Sequence, residues 1–504
     1  MNKKDDMRVG LLNPQGHVRW ENLQIASHPD TGGQTVYIIE LARELGKLGV
    51  KVDIFTRYFN DPDWPGYDKE IEEYSDNLRI IRIKCGPGDK FVRKEELWPF
   101  MKDYSAGIKD FYEKEGVSAD IFSSHYADGG LSGAMMKESM GIPYTHTGHS
   151  LGGEKMDKLN LSRSNYEMIN KNFKFHLRIS AERVAFRNAA AIMASTTEEV
   201  TKQYGHHVYE DAVKDTAKFN IIPPGIGPKQ FFSYHKEEKE KETYEKAVKK
   251  IKGQIEKYID EDRRELPCIF SAARFDAKKN PTGLLRAYAS SEELQKNTNV
   301  LIVAGNVDEP LNPENRDKFK EHEKFIIEDL AGIMKNWNLE GKVCFSPGLD
   351  YVNEMPYVYR YAGRSKWIFV NPALQEPFGL TIIEAMASGL PVAATQNGGP
   401  SEILKGGQYG VLVEPTLPHS LKKGLEKLLI AGQWKKFSNA GMERVKEKFT
   451  WDIAAAEYKE LFEKLIKKGI DISDDFKIPK YFMNPKEGND SKLRKELRHL
   501  YFKV

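Results

Sequence analysis

The sequence predicts an α/β protein made of two doubly wound, mostly parallel sheets in tandem. Three observations carry this expectation. Short apolar runs of the kind that form buried parallel strands recur along the chain, with helical segments between several of them. The rhythm breaks at the charged segment 235–264, HKEEKEKETYEKAVKKIKGQIEKYIDEDRR, and restarts at CIFSAAR, 268–274. A length of 504 residues suits two or three domains.

In the first half, RVGLLN (8–13) reads as a strand, followed by a long polar loop to Asp30. TGGQTVYIIELARELGKLG then reads as a helix: Ile38, Leu41, Ala42 and Leu45 share one face, and Gly46 and Gly49 close it. Further strands are expected at VKVDIFT (50–56), LRIIRI (78–83), ADIFSSHY (119–126), IPYTHTGHS (142–150), AAIMAST (190–196) and FNIIPPG (219–225). In the charged segment Tyr244, Val248, Ile251, Ile255 and Ile259 recur at roughly helical spacing. They predict a solvated helix with a narrow packed stripe at the domain boundary. The second series is CIFSAAR, NVLIVAGN (299–306), KVCFSPG (342–348), WIFV (367–370), PVAAT (391–395) and GVLVEP (410–415). After Trp451, IAAAEYKELFEKLIKK reads as a helix, then a polar end without clear strands. The expected domains are 7–228 and 229–451, with 452–504 returning to the first. Open sheets of this kind take ligands at the carboxyl ends of their strands, so the two are expected to face each other across a cleft and share one ligand.

Composition narrows the function classes. A net charge of +2 gives no reason to expect nucleic acid or a membrane as partner. MNKKDDMRVG has no long apolar stretch, so no secretory leader is expected, and the expected compartment is the cytoplasm. Cys85, Cys268 and Cys344 are scattered and read as buried small hydrophobes, neither disulfide framework nor zinc site.

The stretch 366–399, KWIFVNPALQEPFGLTIIEAMASGLPVAATQNGG, reads as strand, loop, helix, strand. Pro377 suits a first helical position and Gly389 the residue just past the end, which predicts a helix from about Phe378 to Ser388. The N–H groups of Phe378, Gly379, Leu380 and Thr381 then suit a phosphate. Glu376, in the loop, and Glu384, expected two turns in, suit hydroxyls; a nucleotide sugar supplies both. A capped helix in an ordinary α/β core reads equally well from this stretch alone. Arg274 and Lys279 follow CIFSAAR at the same end of the sheet and suit a diphosphate, against simple surface ion pairing. In the first half, DTGGQ opens a helix without the G-x-G-x-x-G pattern of dinucleotide sites. His149 closes the strand IPYT, where it suits a sugar hydroxyl or a proton transfer; His146 reads as packed.

These residues resemble a known family. ARFDAKKN together with NPALQEPFGLTIIEAMASGLPVAATQNGGPSEI resembles the donor half of retaining glycosyltransferases of the two-Rossmann GT-B fold, with Glu376 and Glu384 as its E-x7-E pair. TGGQTVYIIELARELG resembles the glycine loop of the sucrose-metabolising branch. GPGDKFVRKEELWP (86–99), SSHYADGGLSGAM (123–135), TGHSLGGEKMDKL (147–159) and FHLRISAERVAF (175–186) resemble sucrose-phosphate synthases more narrowly.

The resemblance implies transfer of glucose from UDP-glucose to fructose 6-phosphate, with retention at the anomeric carbon. It implies that Arg274 and Lys279 hold the diphosphate, Glu384 the ribose and Glu376 the sugar 3-hydroxyl. His149 would lie against the donor sugar, while Gly32, Gly33 and Gln34 cover the reaction centre. The acceptor phosphate is implied among Lys94, Tyr126, Ser150, Lys155 and Arg178, with Lys90 an alternative to Lys94. Base recognition is expected near Lys342–Val343, leaving UDP or ADP open. No metal ligands or required cofactor are expected, with Mg2+ at most stimulatory. The plant members' N-terminal extension and phosphatase-like domain are not expected here, so a separate sucrose-phosphate phosphatase is expected to act on the product. Gly153 replaces the arginine usual after HSLG in plants. Sucrose synthase acting on free fructose and a non-catalytic two-domain binding protein are the competing expectations.

Overall fold

A computed structural model describes residues 7–21, 30–227, 231, 241–305, 307–350, 354–470, 477–486 and 488–503. The chain divides into two compact units, one of residues 1–224 and 451–504 and one of 225–450. The first crossing precedes the expected 228/229 boundary by four residues, because Ile226 already pairs with Thr450 beside the second unit's last helix.

The first unit holds β1 (Arg8–Leu12), β2 (Lys51–Arg57), β3 (Ile71–Ser75), β4 (Leu78–Ile83), β5 (Ile121–His125), β6 (Tyr144–Thr147), β7 (Ala191–Ala194) and β8 (Phe219–Ile221). They form one sheet in the order β3-β4-β2-β1-β5-β6-β7-β8. Val9 of β1 pairs with Val52 on one side and Ile121 on the other, both in parallel. Only β3 runs antiparallel, along β4. The sequence reading missed it, since IEEYS is an exposed edge strand with little apolar character. The strand order reverses between β1 and β5, where an open sheet leaves a crevice at its carboxyl edge.

The helix Gly33–Lys47 packs Ile38, Leu41 and Leu45 against Val9, Leu11 and the returning helix Trp451–Lys468, through Tyr458 and Phe462. On the other face Tyr126–Met140 and Phe175–Asn188 are buried almost all round. The end that showed no strands carries a helix, Ser491–Phe502, whose Leu493 and Leu497 join that core.

The second unit holds β9 (Cys268–Ala272), β10 (Asn299–Val303), β11 (Val343–Ser346), β12 (Ile368–Asn371), β13 (Val392–Thr395) and β14 (Val411–Val413). Their order is β11-β10-β9-β12-β13-β14, all parallel, so the reversal lies between β9 and β12. The charged segment supplies a helix, Lys241–Tyr258, whose stripe of Ile251 and Ile255, continued by Ile259, packs into this unit's core. It is therefore part of the second domain. The expected helical residues 235–240 lie outside the described residues. All three cysteines are free and buried.

Candidate functional site

In the second unit the two strands flanking the reversal, β9 and β12, deliver the polar residues. After β9 the chain passes exposed Arg274 and enters a single 3-10 turn, Ala277–Lys279, whose Asp276 side chain caps it by accepting from the Lys278 N–H at 2.9 Å. Asn280 donates to the carbonyls of Pro372 and Pro415, at 3.1 and 3.0 Å, tying this loop to those after β12 and β14. Lys279 Nζ lies 2.7 Å from Glu376 Oε2, and Asn371 Nδ2 donates to the same oxygen at 3.1 Å. Arg274 forms no ion pair among the described residues.

The helix beyond this loop runs Leu380–Ala387, two residues later than expected, and Pro377 lies outside it. Backbone bonds explain the shift. Glu376 N–H donates to Asn397 C=O and Gly399 N–H to Glu376 C=O, both at 3.0 Å, so residues 376–378 run alongside Gly398 instead of winding into the helix. Gly379 caps it at φ 114°, a left-handed geometry that glycine adopts without strain. Its carbonyl accepts from Ile382 and Ile383, so the N–H groups of Gly379, Leu380 and Thr381 precede the helical ladder and form the anion-suited end. Gly398, at φ +107°, is equally constrained: a Cβ there would lie 2.0 Å from Glu376 O. Glu384 is buried one turn into the helix, not two. Val343 is a correction. It is the first residue of β11, buried at the amino end of the sheet, whereas Arg274, Lys279 and Glu376 lie at the carboxyl end. A chain that crosses the sheet in β11 cannot present both ends to one ligand, so Val343 leaves the site.

In the first unit the remaining predicted residues gather near the reversal between β1 and β5. Gly32 and Gly33 open the helix Gly33–Lys47, and a Cβ on either would meet no atom of the described residues within 4 Å. Gln34 donates to Asn13 Oδ1 and accepts from Gln15 Nε2 at 2.7 Å, which fixes it over the end of β1. Tyr126, at φ 65°, starts the helix after β5. Arg178, buried, stacks 4.6 Å from the Tyr126 ring, donates to Ser150 O at 2.6 Å and pairs through Nε with Glu182 at 2.9 Å. Lys155 sits 4.3 Å from the centroid of the Phe173 ring. Burial first, then the neighbouring Arg178 and Lys94 charges, push its ammonium down to about 8, opposed by Glu95 and Asp30. Lys94 is ion-paired with Asp30, which also accepts the Lys94 N–H at 2.9 Å. Lys94 is among the charges acting on Lys155, while Lys90 is exposed.

His149 adopts φ 56° just past β6, half-buried, with Nε2 2.9 Å from His125 Nδ1. Burial pushes its imidazolium down to about 3, so the ring is neutral. His146 is packed, its Nδ1 2.9 Å from Ser124 Oγ.

Several residues escaped the sequence reading. Glu182 is buried and accepts from Gly152 N–H at 3.0 Å, from Arg178 and from Tyr209 OH; its i,i+4 spacing to Arg178 was the available signal. Asp128, two residues past Tyr126, is buried, and its carboxyl is pushed up to about 7 by desolvation. Asp30, Asn13, His125 and Gly398 lie within the stretches DTGGQ, RVGLLN, SSHYADGGLSGAM and NPALQEPFGLTIIEAMASGLPVAATQNGGPSEI, which gave none of them a role.

Two doubly wound sheets, one ending in a helix start with Lys279 and Glu376 and the other carrying a cluster of cations, are the arrangement of glycosyltransferases of the GT-B fold. Family models agree by segment: "Sucrose synthase first GT-B domain" matches residues 6–252 and "Glycosyl transferases group 1" matches 254–444. A probable sucrose-phosphate synthase of Thermosipho melanesiensis is 36% identical over 463 residues, 91% of this chain and 97% of the relative. The chain belongs to the sucrose-phosphate synthase family. A probable sucrose-phosphate synthase of Beta vulgaris is 30% identical over 501 residues, 88% of this chain, which spans 47% of that relative's length. The solved sucrose-phosphate synthase of Thermosynechococcus elongatus superposes with a TM-score of 0.63 at 24% identity, over 92% of this chain and all of that one. No helix among the described residues is long and apolar enough to cross a membrane.

Proposed function

We propose that the protein transfers glucose from UDP-glucose to fructose 6-phosphate, giving sucrose 6-phosphate and UDP with retention at the anomeric carbon. The observation that carries the acceptor assignment is the cluster of Lys155, Arg178 and Lys94, three cations gathered at the carboxyl ends of the first sheet. A phosphate dianion needs such a set, while the hydroxyls of free fructose do not. Tyr126 and Ser150 complete the acceptor pocket, and Gly32, Gly33 and Gln34 leave backbone open toward the reacting hydroxyl.

The donor reading rests on the second unit. The N–H groups of Gly379, Leu380 and Thr381, with Arg274 and Lys279, stabilise the charge that develops on the leaving diphosphate. Before the donor binds, Glu376 holds the Lys279 ammonium; a diphosphate competes for that ammonium and releases the Glu376 carboxylate to accept from sugar hydroxyls. Glu384 takes the ribose hydroxyls. With two protein cations on the diphosphate the reaction needs no metal, and Mg2+ acts at most as a stimulant. Retention follows if the acceptor attacks from the face the diphosphate leaves, a leaving-phosphate oxygen taking the acceptor proton. The first unit thus serves the acceptor and the second the donor, and the product is a substrate for a phosphatase.

The test is a four-way assay of UDP- or ADP-glucose against fructose or fructose 6-phosphate, following nucleoside diphosphate release. Fructose 6-phosphate with UDP-glucose is the expected pair. Equal rates on free fructose would overturn the phosphate pocket, and no release with any pair would favour a binding protein. Arg178→Ala is expected to raise the fructose 6-phosphate KM roughly 10- to 100-fold, the worth of one charge-assisted hydrogen bond. It should scarcely affect activity on fructose.

A further inference from the structure

We propose that His125 is a positioning residue that fixes the tautomer of His149, so that His149 offers an Nδ1–H donor to the transferred sugar and cannot act as a base there. The role of the sugar rests on the function proposed above; the tautomer assignment rests on geometry within the first unit alone.

The two imidazoles lie edge to edge, their centroids 5.2 Å apart and their planes tilted by 29°, and share one hydrogen bond between His125 Nδ1 and His149 Nε2 at 2.9 Å. A single proton lies in that bond, and the distance alone does not say which ring owns it. The other nitrogen of His125 decides. His125 is 0% exposed, and its Nε2 is buried with no hydrogen-bond partner among the described residues. If the shared proton belonged to His149, neutral His125 would carry its own proton on Nε2, leaving a buried N–H with no acceptor. If it belongs to His125, only a lone pair is left without a partner. Orphaned buried N–H groups are the rarer of the two in folded proteins. Nδ1–H of His125 therefore donates to Nε2 of His149.

His146, one strand over, obeys the same rule independently. The Ser124 hydroxyl spends its only proton on Thr145 O at 2.9 Å, so it accepts from His146 Nδ1–H, and His146 Nε2 is likewise buried without a partner among the described residues. This pocket tolerates bare imidazole lone pairs. Both rings beside His149 are buried and held neutral by desolvation, so neither supplies a second proton.

With Nε2 accepting, neutral His149 carries its proton on Nδ1, which makes no hydrogen bond among the described residues. The ring is also fixed in direction. Tyr37 meets it edge-on at 5.0 Å, and the Tyr37 hydroxyl is anchored 2.8 Å from that of Tyr458 on the returning helix. His149 therefore presents a fixed N–H donor, which suits a hydroxyl oxygen of the sugar and leaves no lone pair for general-base work.

The test is long-range 1H–15N correlation on the full-length protein labelled with 15N-histidine, with His149 and His125 assigned by single substitution. Wild-type His149 is expected as the Nδ1–H tautomer at neutral pH. His125→Asn keeps an amide N–H near the Nδ1 position and should preserve that tautomer. His125→Phe keeps a ring but no donor and should release His149 toward Nε2–H. The donor kcat/KM should fall roughly 3- to 10-fold in His125→Phe, the worth of one neutral hydrogen bond, and recover in His125→Asn. A wild-type His149 protonated on Nε2 overturns the assignment, with or without a folded His125→Phe variant. If the Nδ1–H tautomer is found but no sugar is transferred, the transferase reading falls and the positioning role of His125 stands.

Discussion

On the proposed function, Lys155 should make fructose 6-phosphate binding sensitive to pH in a window where the sugar phosphate itself is not. Burial and the neighbouring cations push its ammonium down to about 8 from 10.5, so the charge is lost as pH rises through about 8. At pH 7 about nine in ten free molecules carry it, and at pH 9 about one in ten, by simple titration. A sugar phosphate, with a second pKa of about 6, stays a dianion throughout. If only the charged form binds, the fructose 6-phosphate KM should rise about tenfold from pH 7 to 9, while the KM of fructose stays flat. The ceiling is the worth of a charge-assisted contact, about 1.5–3 kcal/mol. Lys155→Arg keeps its charge across this range and should abolish the rise. Stability should run the other way: the unfolded chain binds the extra proton between about 8 and 10.5, so folding is favoured as pH rises across that window. Initial rates at matched ionic strength measure the effect. An equal rise with fructose, or an unchanged slope in Lys155→Arg, would refute the role of Lys155.

Other expectations concern the residues that hold the two halves in shape. Glu182→Gln leaves the buried Arg178 guanidinium without its carboxylate and should cost about 3–5 kcal/mol in urea unfolding; a loss below about 1 kcal/mol would show that Ser150 O and Tyr126 suffice. Lys279→Met should lower kcat/KM for the nucleotide sugar roughly 10- to 100-fold. Combined with Glu376→Gln, the loss should be less than the sum, because the two side chains are paired, and strict additivity would argue against a shared role. Gly398→Ala forces a Cβ toward Glu376 O at a strained φ, about 1–3 kcal/mol of local strain. It should weaken donor binding in calorimetry and leave fructose 6-phosphate binding unchanged.

Much of this was legible in the chain itself. Thirteen of the fourteen strands coincide with the runs read as strands, most of them apolar because a strand buried on both faces favours apolar side chains. The helix packing of Ile38, Leu41 and Leu45 followed from spacing alone, and the motif residues Lys279 and Glu376 do lie at one sheet edge. The edge strand β3 was invisible because an exposed strand needs no apolar run. The late start of the helix at Leu380 was invisible because it depends on backbone bonds to residues 397–399, some twenty positions downstream.

By itself, then, the sequence determined the tandem α/β architecture and the chemical types at the strand ends, since burial and local helix and turn preferences are written into neighbouring residues. What tertiary structure alone decided is which groups meet: Lys279 with Glu376, Arg178 with Glu182, Lys94 with Asp30, His125 with His149. It also decided that Val343 lies at the far edge of its sheet. Such pairings join residues from separate strands and loops or set a side chain's charge, proton and direction by burial. Those energies belong to the packed interior, where desolvation and distance act together, and no local pattern carries them.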